Sequence, residues 1–296
     1  MKCLITGGSG FIATNLKGQL LKDGHDVITL DLQGNSELIG DITDYEFIKQ
    51  STQDVDCIFH MAAITSPPEF ELYLMKGFQT NVNGTLNILK AASVNSVPRV
   101  VLASSSAIYG SINSPGLESF TPLTHGNMYS LTKLIDEYLG RFFSIRNETS
   151  VVSLRFFNTY GIGENVKGLY SSVISKFLDS VKKNENPNIF GDGTQSRDFI
   201  YVKDLVSAIS RFMKNGVGGE VYNVGSGIST SFNNIIKTIS EVLGREIKPV
   251  YQKNPYRNYQ YFTNANMDKT LKEIPWKAKY NLKDGIFEMA KEMELI

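Results

Sequence analysis

The segment Thr6-Gly7-Gly8-Ser9-Gly10-Phe11-Ile12-Ala13 leaves this chain few folds to choose from. Lys2–Thr6 before it is a short apolar run with the look of a buried strand. Phe11–Lys22 after it carries apolar residues at three and four spacing, the period of a helix. Glycines between a strand and a helix let the backbone turn sharply and approach a pyrophosphate, whose charge then rests on the amides that open the helix. A glycine-rich turn can also be a mere connection. Asp31 changes the weighing: it closes the second apolar run about 20 residues after Gly10, where a carboxylate accepts hydrogen bonds from an adenosine ribose. The same carboxylate repels a 2′-phosphate and no arginine follows it, so NAD is expected rather than NADP. Gly7, Gly10, Phe11, Ile12 and Asp31 are the first candidate cofactor residues.

The rest of the first half repeats the alternation. Strands are expected at Val27–Leu30, Cys57–His60, Arg99–Ser104 and Val151–Arg155, and helices at Tyr45–Ser51, Phe70–Ser93 and Met128–Ile145. This predicts an α/β chain with a Rossmann-type, doubly wound parallel sheet. The stretch from Asp31 to Asp41 is too short for a full crossover helix, so that unit is expected to be trimmed. In such sheets ligands lie beyond the carboxyl ends of the strands. Asp41 and Ile42 are accordingly assigned to the adenine edge, and Ala62 and Ala63 to the space left for the dinucleotide backbone. After Arg155 the pattern loosens into a smaller mixed α/β region. The division expected is 1–160 for the cofactor, with about 198–225 returning to it, and 161–197 with 226–296 as a substrate-binding lid.

Composition narrows the partners. Thirty basic and thirty acidic residues cancel in a chain of 296, so no broad field exists to hold nucleic acid or an anionic membrane. No run approaches a membrane span, and Met1–Thr6 is too short for the apolar part of a signal peptide. Cys3 and Cys57 lie inside apolar strands, and His25, His60 and His125 lack ligand-like spacing. Neither a disulfide framework nor a metal site is expected, and a cytoplasmic setting follows.

Tyr129-Ser130-Leu131-Thr132-Lys133 sets a phenol and an ammonium four residues apart, on one face of a helix. With 14 tyrosines in the chain, spacing alone proves little, and Tyr45 to Lys49 matches it too. Context separates them: Tyr129 follows the strand ending Ser104-Ser105-Ser106 and begins the next helix at the mouth of the sheet. A phenol keeps its proton at neutral pH. One cation about 4 Å away, at an effective dielectric of about 20, contributes about 4 kcal/mol toward the phenolate. Tyr129 is thus a candidate base, Lys133 its charge partner, and Ser105 the group that shares the substrate proton.

These residues resemble the extended short-chain dehydrogenases, the NAD-dependent nucleotide-sugar epimerases and dehydratases, over nearly the whole chain. The likeness rests on Thr6 to Ile12, His60-Met61-Ala62-Ala63, Asn81-Val82-Asn83-Gly84-Thr85, Val100 to Gly110, Tyr129 to Lys133, Arg155 to Gly161, Gly191 to Phe199 and Tyr222-Asn223-Val224-Gly225. It implies cofactor roles for Asn81, Ser104, Tyr129 and Lys133. It also implies substrate roles for Ser105, Ser106 and Tyr129, and a nucleotide-diphosphate grip by Asn158, Arg197 and Arg257. Family dehydratases carry an Asp-Glu pair where Ser106-Ala107 stand here, so elimination of water is not expected. Epimerisation of a UDP-hexose at C4 through a keto sugar is implied first. Arg257-Asn258-Tyr259-Gln260 departs from the usual pattern, and Tyr259 to Thr263 resembles the heptose 6-epimerases that use an ADP-linked sugar. Thr263 is expected to gauge substituent size. The alternatives are therefore another nucleotide-sugar epimerase or reductase, or a non-catalytic NAD-binding regulator. The resemblance further implies a homodimer through Asn83–Ala92 and Met128–Phe143.

Overall fold

The computed structural model describes residues 1–65, 67–119, 127–146, 149–255 and 259–296. Its strands are β1 (Lys2–Thr6), β2 (Asp26–Asp31), β3 (Leu38–Ile39), β4 (Cys57–His60), β5 (Arg99–Ser105), β6 (Ser150–Phe156), β7 (Asn158–Tyr160), β8 (Asn188–Phe190), β9 (Ser196–Tyr201), β10 (Val221–Val224), β11 (Ser229–Ser231) and β12 (Val250–Gln252). Seven of them form one sheet in the order β10-β6-β5-β4-β1-β2-β3, with every pairing parallel. The chain winds outward from β1 through β2 and β3, then resumes at β4 on the other side of β1. A crevice opens between β1 and β4 at the carboxyl ends, where the winding reverses. No helix separates β2 from β3, the trimmed unit that the sequence implies.

Alternation along β1 shows why both faces are covered. Cys3 and Ile5 enter one apolar core, and Leu4 enters the other. The first core is closed by α1 (Phe11–Lys22) and by α8 (Val202–Asn215), which pack together. The second is closed by α2 (Tyr45–Ser51), α5 (Gly84–Val94) and α6 (Met128–Ile145).

The single helix expected over Phe70–Ser93 is a correction. The segment folds as α3 (Pro67–Leu72), α4 (Leu74–Phe78), a π turn over Gln79–Asn83, and then α5. Tyr73, at φ −127° and ψ 50°, breaks the first junction. The π turn carries Asn81, whose side chain is drawn inward to clamp another part of the backbone. A widened turn of this kind re-aims a side chain that a regular helix would misdirect.

Beyond β6 the small sheets β11-β9-β7 and β12-β8 pack with α7 (Val173–Lys182), α9 (Phe232–Leu243) and α11 (Leu282–Glu292) around a third apolar core. Asp268–Glu273 forms the short α10. Among the described residues, no helix is long and apolar enough to cross a membrane.

Candidate active site

Beyond the carboxyl ends of the large sheet lies a cleft of about 1620 Å³, floored by strand ends and walled by the small sheets. Its first wall is the glycine turn. Gly7 has φ +69°, and a Cβ there would stand 2.8 Å from the Cα and N of Ala62, so only glycine lets β1 and β4 part this closely. The Gly10 amide closes the turn on the Gly7 carbonyl at 2.9 Å. Helix α1 then starts at Phe11 with no side chain capping it. Its first amides are left for a ligand oxygen.

Asp31 ends β2 beside this turn. Its Oδ2 accepts from the Ser9 amide at 2.9 Å and its Oδ1 from the Leu32 amide at 2.7 Å. An ionised carboxylate has about four acceptor sites, so capacity remains for the hydroxyls of a ribose. Asp41 and Ile42 continue the wall, and Ala62 and Ala63 line it from the end of β4. The open helix terminus, the glycine cradle and the spare carboxylate capacity together fit a dinucleotide carrying an unphosphorylated ribose.

The candidate chemical groups share this cleft. Ser104, Ser105 and Ser106 reach it from the end of β5, Tyr129 and Lys133 from the first turns of α6, and Asn158 from β7. Asn127 caps α6 by accepting from the Ser130 amide at 2.9 Å, which fixes Tyr129 in the opening turn. Ser105 Oγ accepts from the Ala107 amide at 3.1 Å and so faces the loop mouth. Asn81 stands behind the wall. Its Oδ1 accepts from the Ile64 amide at 2.8 Å, and its Nδ2 donates to the Ile64 carbonyl and to Thr132 Oγ1. It ties α6 to the loop after β4 rather than lining the cleft.

Two further expected residues lie elsewhere. Arg197 is absent from the cleft wall: its guanidinium donates to the carbonyls of Ser196 and Gln260 and packs between the rings of Phe232 and Tyr259. Tyr259 and Gln260 occupy the wall in front of it. Thr263 is also a correction, since it is buried and its Oγ1 accepts from Asn158 Nδ2 at 3.0 Å, holding that side chain rather than measuring a substituent. Arg257 and His125 lie outside the described residues.

Sequence reasoning missed the charges behind the wall. Glu137, two turns beyond Tyr129 on α6, accepts from Arg155 Nε at 2.9 Å and Nη2 at 2.8 Å, and from Ser104 Oγ at 2.5 Å. Asp136 accepts from Lys133 Nζ at 3.2 Å. The available signal was a pair of adjacent acids, Asp136 and Glu137, on the same helix as Lys133. Lys167 and Lys176 on the cleft wall were also missed, for lone lysines carry no spacing signature.

Comparison with known proteins gives the same picture. The family model for the NAD dependent epimerase/dehydratase family matches residues 3–225. UDP-glucose 4-epimerase of Bacillus subtilis is 30% identical, over 96% of this chain and 94% of that protein. UDP-N-acetyl-alpha-D-glucosaminuronate decarboxylase of Bacillus cytotoxicus is likewise 30% identical, over 92% and 91%. Among solved structures, Thermotoga maritima UDP-glucose 4-epimerase with UDP-glucose superposes with a TM-score of 0.92 at 27% identity, covering 99% of both chains.

Proposed function

The chain belongs to the NAD-dependent epimerase/dehydratase family, and from that premise we propose that it inverts C4 of a UDP-hexose by transient oxidation, with Tyr129, Lys133 and Ser105 as its catalytic residues. The observation that carries this reading is the meeting of Tyr129, Lys133 and Ser105 with Gly7, Gly10 and Asp31 in one cleft.

The chemistry that bound NAD supplies is reversible acceptance of a hydride. Gly7, Gly10, Phe11 and Ile12 hold the pyrophosphate against the opening of α1, and Asp31 takes the adenosine ribose. Ser105 orients the sugar hydroxyl. Tyr129, as phenolate, withdraws the hydroxyl proton while Lys133 offsets its charge. When the keto sugar has presented its other face, Tyr129 returns the proton. Ser106 and Ala107 line the cleft without an acid or base to expel water, which argues against dehydration. Asn158 faces the nucleotide diphosphate, and Arg197 supports that wall through Gln260.

Tyr259 and Gln260 on the wall keep an ADP-linked heptose as the second reading. The test offers UDP-galactose, UDP-N-acetyl sugars, UDP-glucuronate and ADP-heptose in turn. Isomer should form from the UDP-hexose without net accumulation of NADH, and Tyr129→Phe should lower turnover by about 10²–10⁴-fold while NAD still binds. Turnover unaffected by Tyr129→Phe would instead favour a regulator that kept the fold.

The same reading divides the chain into 1–160 with 198–225 for NAD, and 161–197 with 226–296 for the sugar nucleotide. It is supported by α8 and β10, which build into the layers of the large sheet. A homodimer is part of it. Leu86 and Val94 on α5, and Tyr138, Phe142 and Ile145 on α6, are apolar and exposed, and sedimentation should return twice the chain mass. Two buried free thiols, Cys3 and Cys57, suit the cytoplasm.

A further inference from the structure

A buried carboxylate stands behind Lys133 with one of its two oxygens unpartnered among the described residues. Asp136, one turn along α6 and 2% exposed, meets Lys133 Nζ through Oδ2 at 3.2 Å, while its Oδ1 has no hydrogen-bond partner among the described residues. Thr85 of α5 lies beside it, but the protons run the other way. Thr85 gives its proton to the Asn81 carbonyl, so the single N–H of the neutral His60 ring is on Nε2 and Nδ1 accepts from Thr6 Oγ1 at 2.7 Å. Thr6 Oγ1 also accepts from the Ala62 amide at 3.2 Å. His60 Nε2 then donates to Thr85 Oγ1 at 3.0 Å, and the one hydroxyl proton of Thr85 goes to the Asn81 carbonyl at 2.5 Å. None is left for Asp136.

The charges around this carboxylate are few. On α6 they are Lys133 and Glu137, and Glu137 is committed to Arg155 of β6. His60 of β4 is neutral, pushed down to about 3 by burial and then by Lys133. Tyr109, stacked on Arg155, is pushed up to about 12 by burial. Glu71 and Lys76, on α3 and α4, are exposed. Among the described residues, Asp136 is therefore the one carboxylate set directly against the Lys133 ammonium.

We propose that Asp136 is a positioning residue for Lys133: it anchors the ammonium and offsets part of the positive charge that Tyr129 feels. A half-satisfied buried ion pair is a poor way to stabilise a helix, and an apolar side chain would serve packing better. Epimerisation gives it a use. One phenol must take a proton and then give the same proton back, so neither form can be heavily favoured. An unopposed cation would favour the phenolate. Burial pushes the Asp136 carboxyl up to about 6 against the pull of Lys133, so the counterweight is charged at neutral pH.

The inference rests on Tyr129 and Lys133 as the catalytic pair, and its test needs no sugar. Tyrosinate absorbance of the NAD-loaded protein is titrated with pH, and the Tyr129 part is isolated by subtracting Tyr129→Phe. Asp136→Asn should move that midpoint to lower pH by about one unit. Asp136→Ala, suited to a helix interior, carries the same expectation should the amide not fold. A midpoint that stays in place or rises overturns the proposal. Isomer formation with an unmoved midpoint sinks this inference alone, whereas a moved midpoint without turnover on any sugar sinks the substrate reading and leaves the charge coupling standing.

Discussion

Replacing Glu137 by glutamine should cost more than any other single change of similar size on α6. Its two oxygens accept from Nε and Nη2 of Arg155, at 2.9 and 2.8 Å, and one also from the Ser104 hydroxyl. The side chains of the ion pair are only 2% and 5% exposed. A carboxamide keeps the shape but turns an N–H₂ toward a buried guanidinium. Breaking one partner of a buried pair costs about 3–5 kcal/mol, because the remaining charge stays buried. For a chain this long, unfolding entropy converts that into a melting temperature lower by about 5–8 °C. The assay is urea and thermal unfolding without ligand. The control is Glu137→Met combined with Arg155→Met, which removes both charges and should recover most of the loss. A single variant within about 1 kcal/mol of the parent, or a double variant as unstable as the single, would refute the reasoning.

Asp31→Ala removes the acceptor assigned to the adenosine ribose, and NAD should bind about 10–100-fold more weakly, the loss of one charged hydrogen bond, while NADP is not weakened. Titration of the fluorescence of both reduced forms reads this, and an unchanged preference for NAD counts against the assignment. Burial holds His60 at about 3 in the fold against an ordinary 6.5, so between those values the unfolded chain carries a proton that the fold excludes. His60 therefore adds stability above about pH 6.5 that is lost as pH falls toward 3, by up to about 1.4 kcal/mol per pH unit. His60→Gln should flatten that slope relative to the parent in urea midpoints taken from pH 7 to 4, and an equal slope in both proteins would show that the ring protonates without cost.

What the sequence disclosed was local. The turn from Gly7 to Ile12 needs only its own residues to bend, and Tyr129 with Lys133 needs only the helical period. Their places in the cleft follow from lying just past strand ends in a sheet whose winding reverses at β1. The features that escaped are held from a distance. Asn81 is turned inward because the backbone at Ile64 and the hydroxyl of Thr132 lie there, and the π turn that achieves this has no residue preference to betray it. Arg197 looked like a phosphate ligand by its motif, yet carbonyls at Ser196 and Gln260 claim its donors. Thr263 looked exposed to a sugar because its role depends on Asn158, more than a hundred residues earlier.

The buried charges on α6 explain how the site keeps its shape. Lys133, the proposed catalytic ammonium, is buried and therefore needs a buried counter-charge. Asp136 provides one, but the next residue, Glu137, adds a second negative charge on the same helix. Arg155 restores balance from β6, giving two cations and two anions in one enclosed group. The arrangement also fixes distances. Glu137 binds the hydroxyl of Ser104, whose neighbour Ser105 is the proposed substrate contact, and it sits on the same rigid helix as Tyr129. The phenol and the serine are thus held on two elements bolted together behind the cleft. A loosened Glu137 should therefore disturb the spacing between Tyr129 and Ser105 before it disturbs either residue alone.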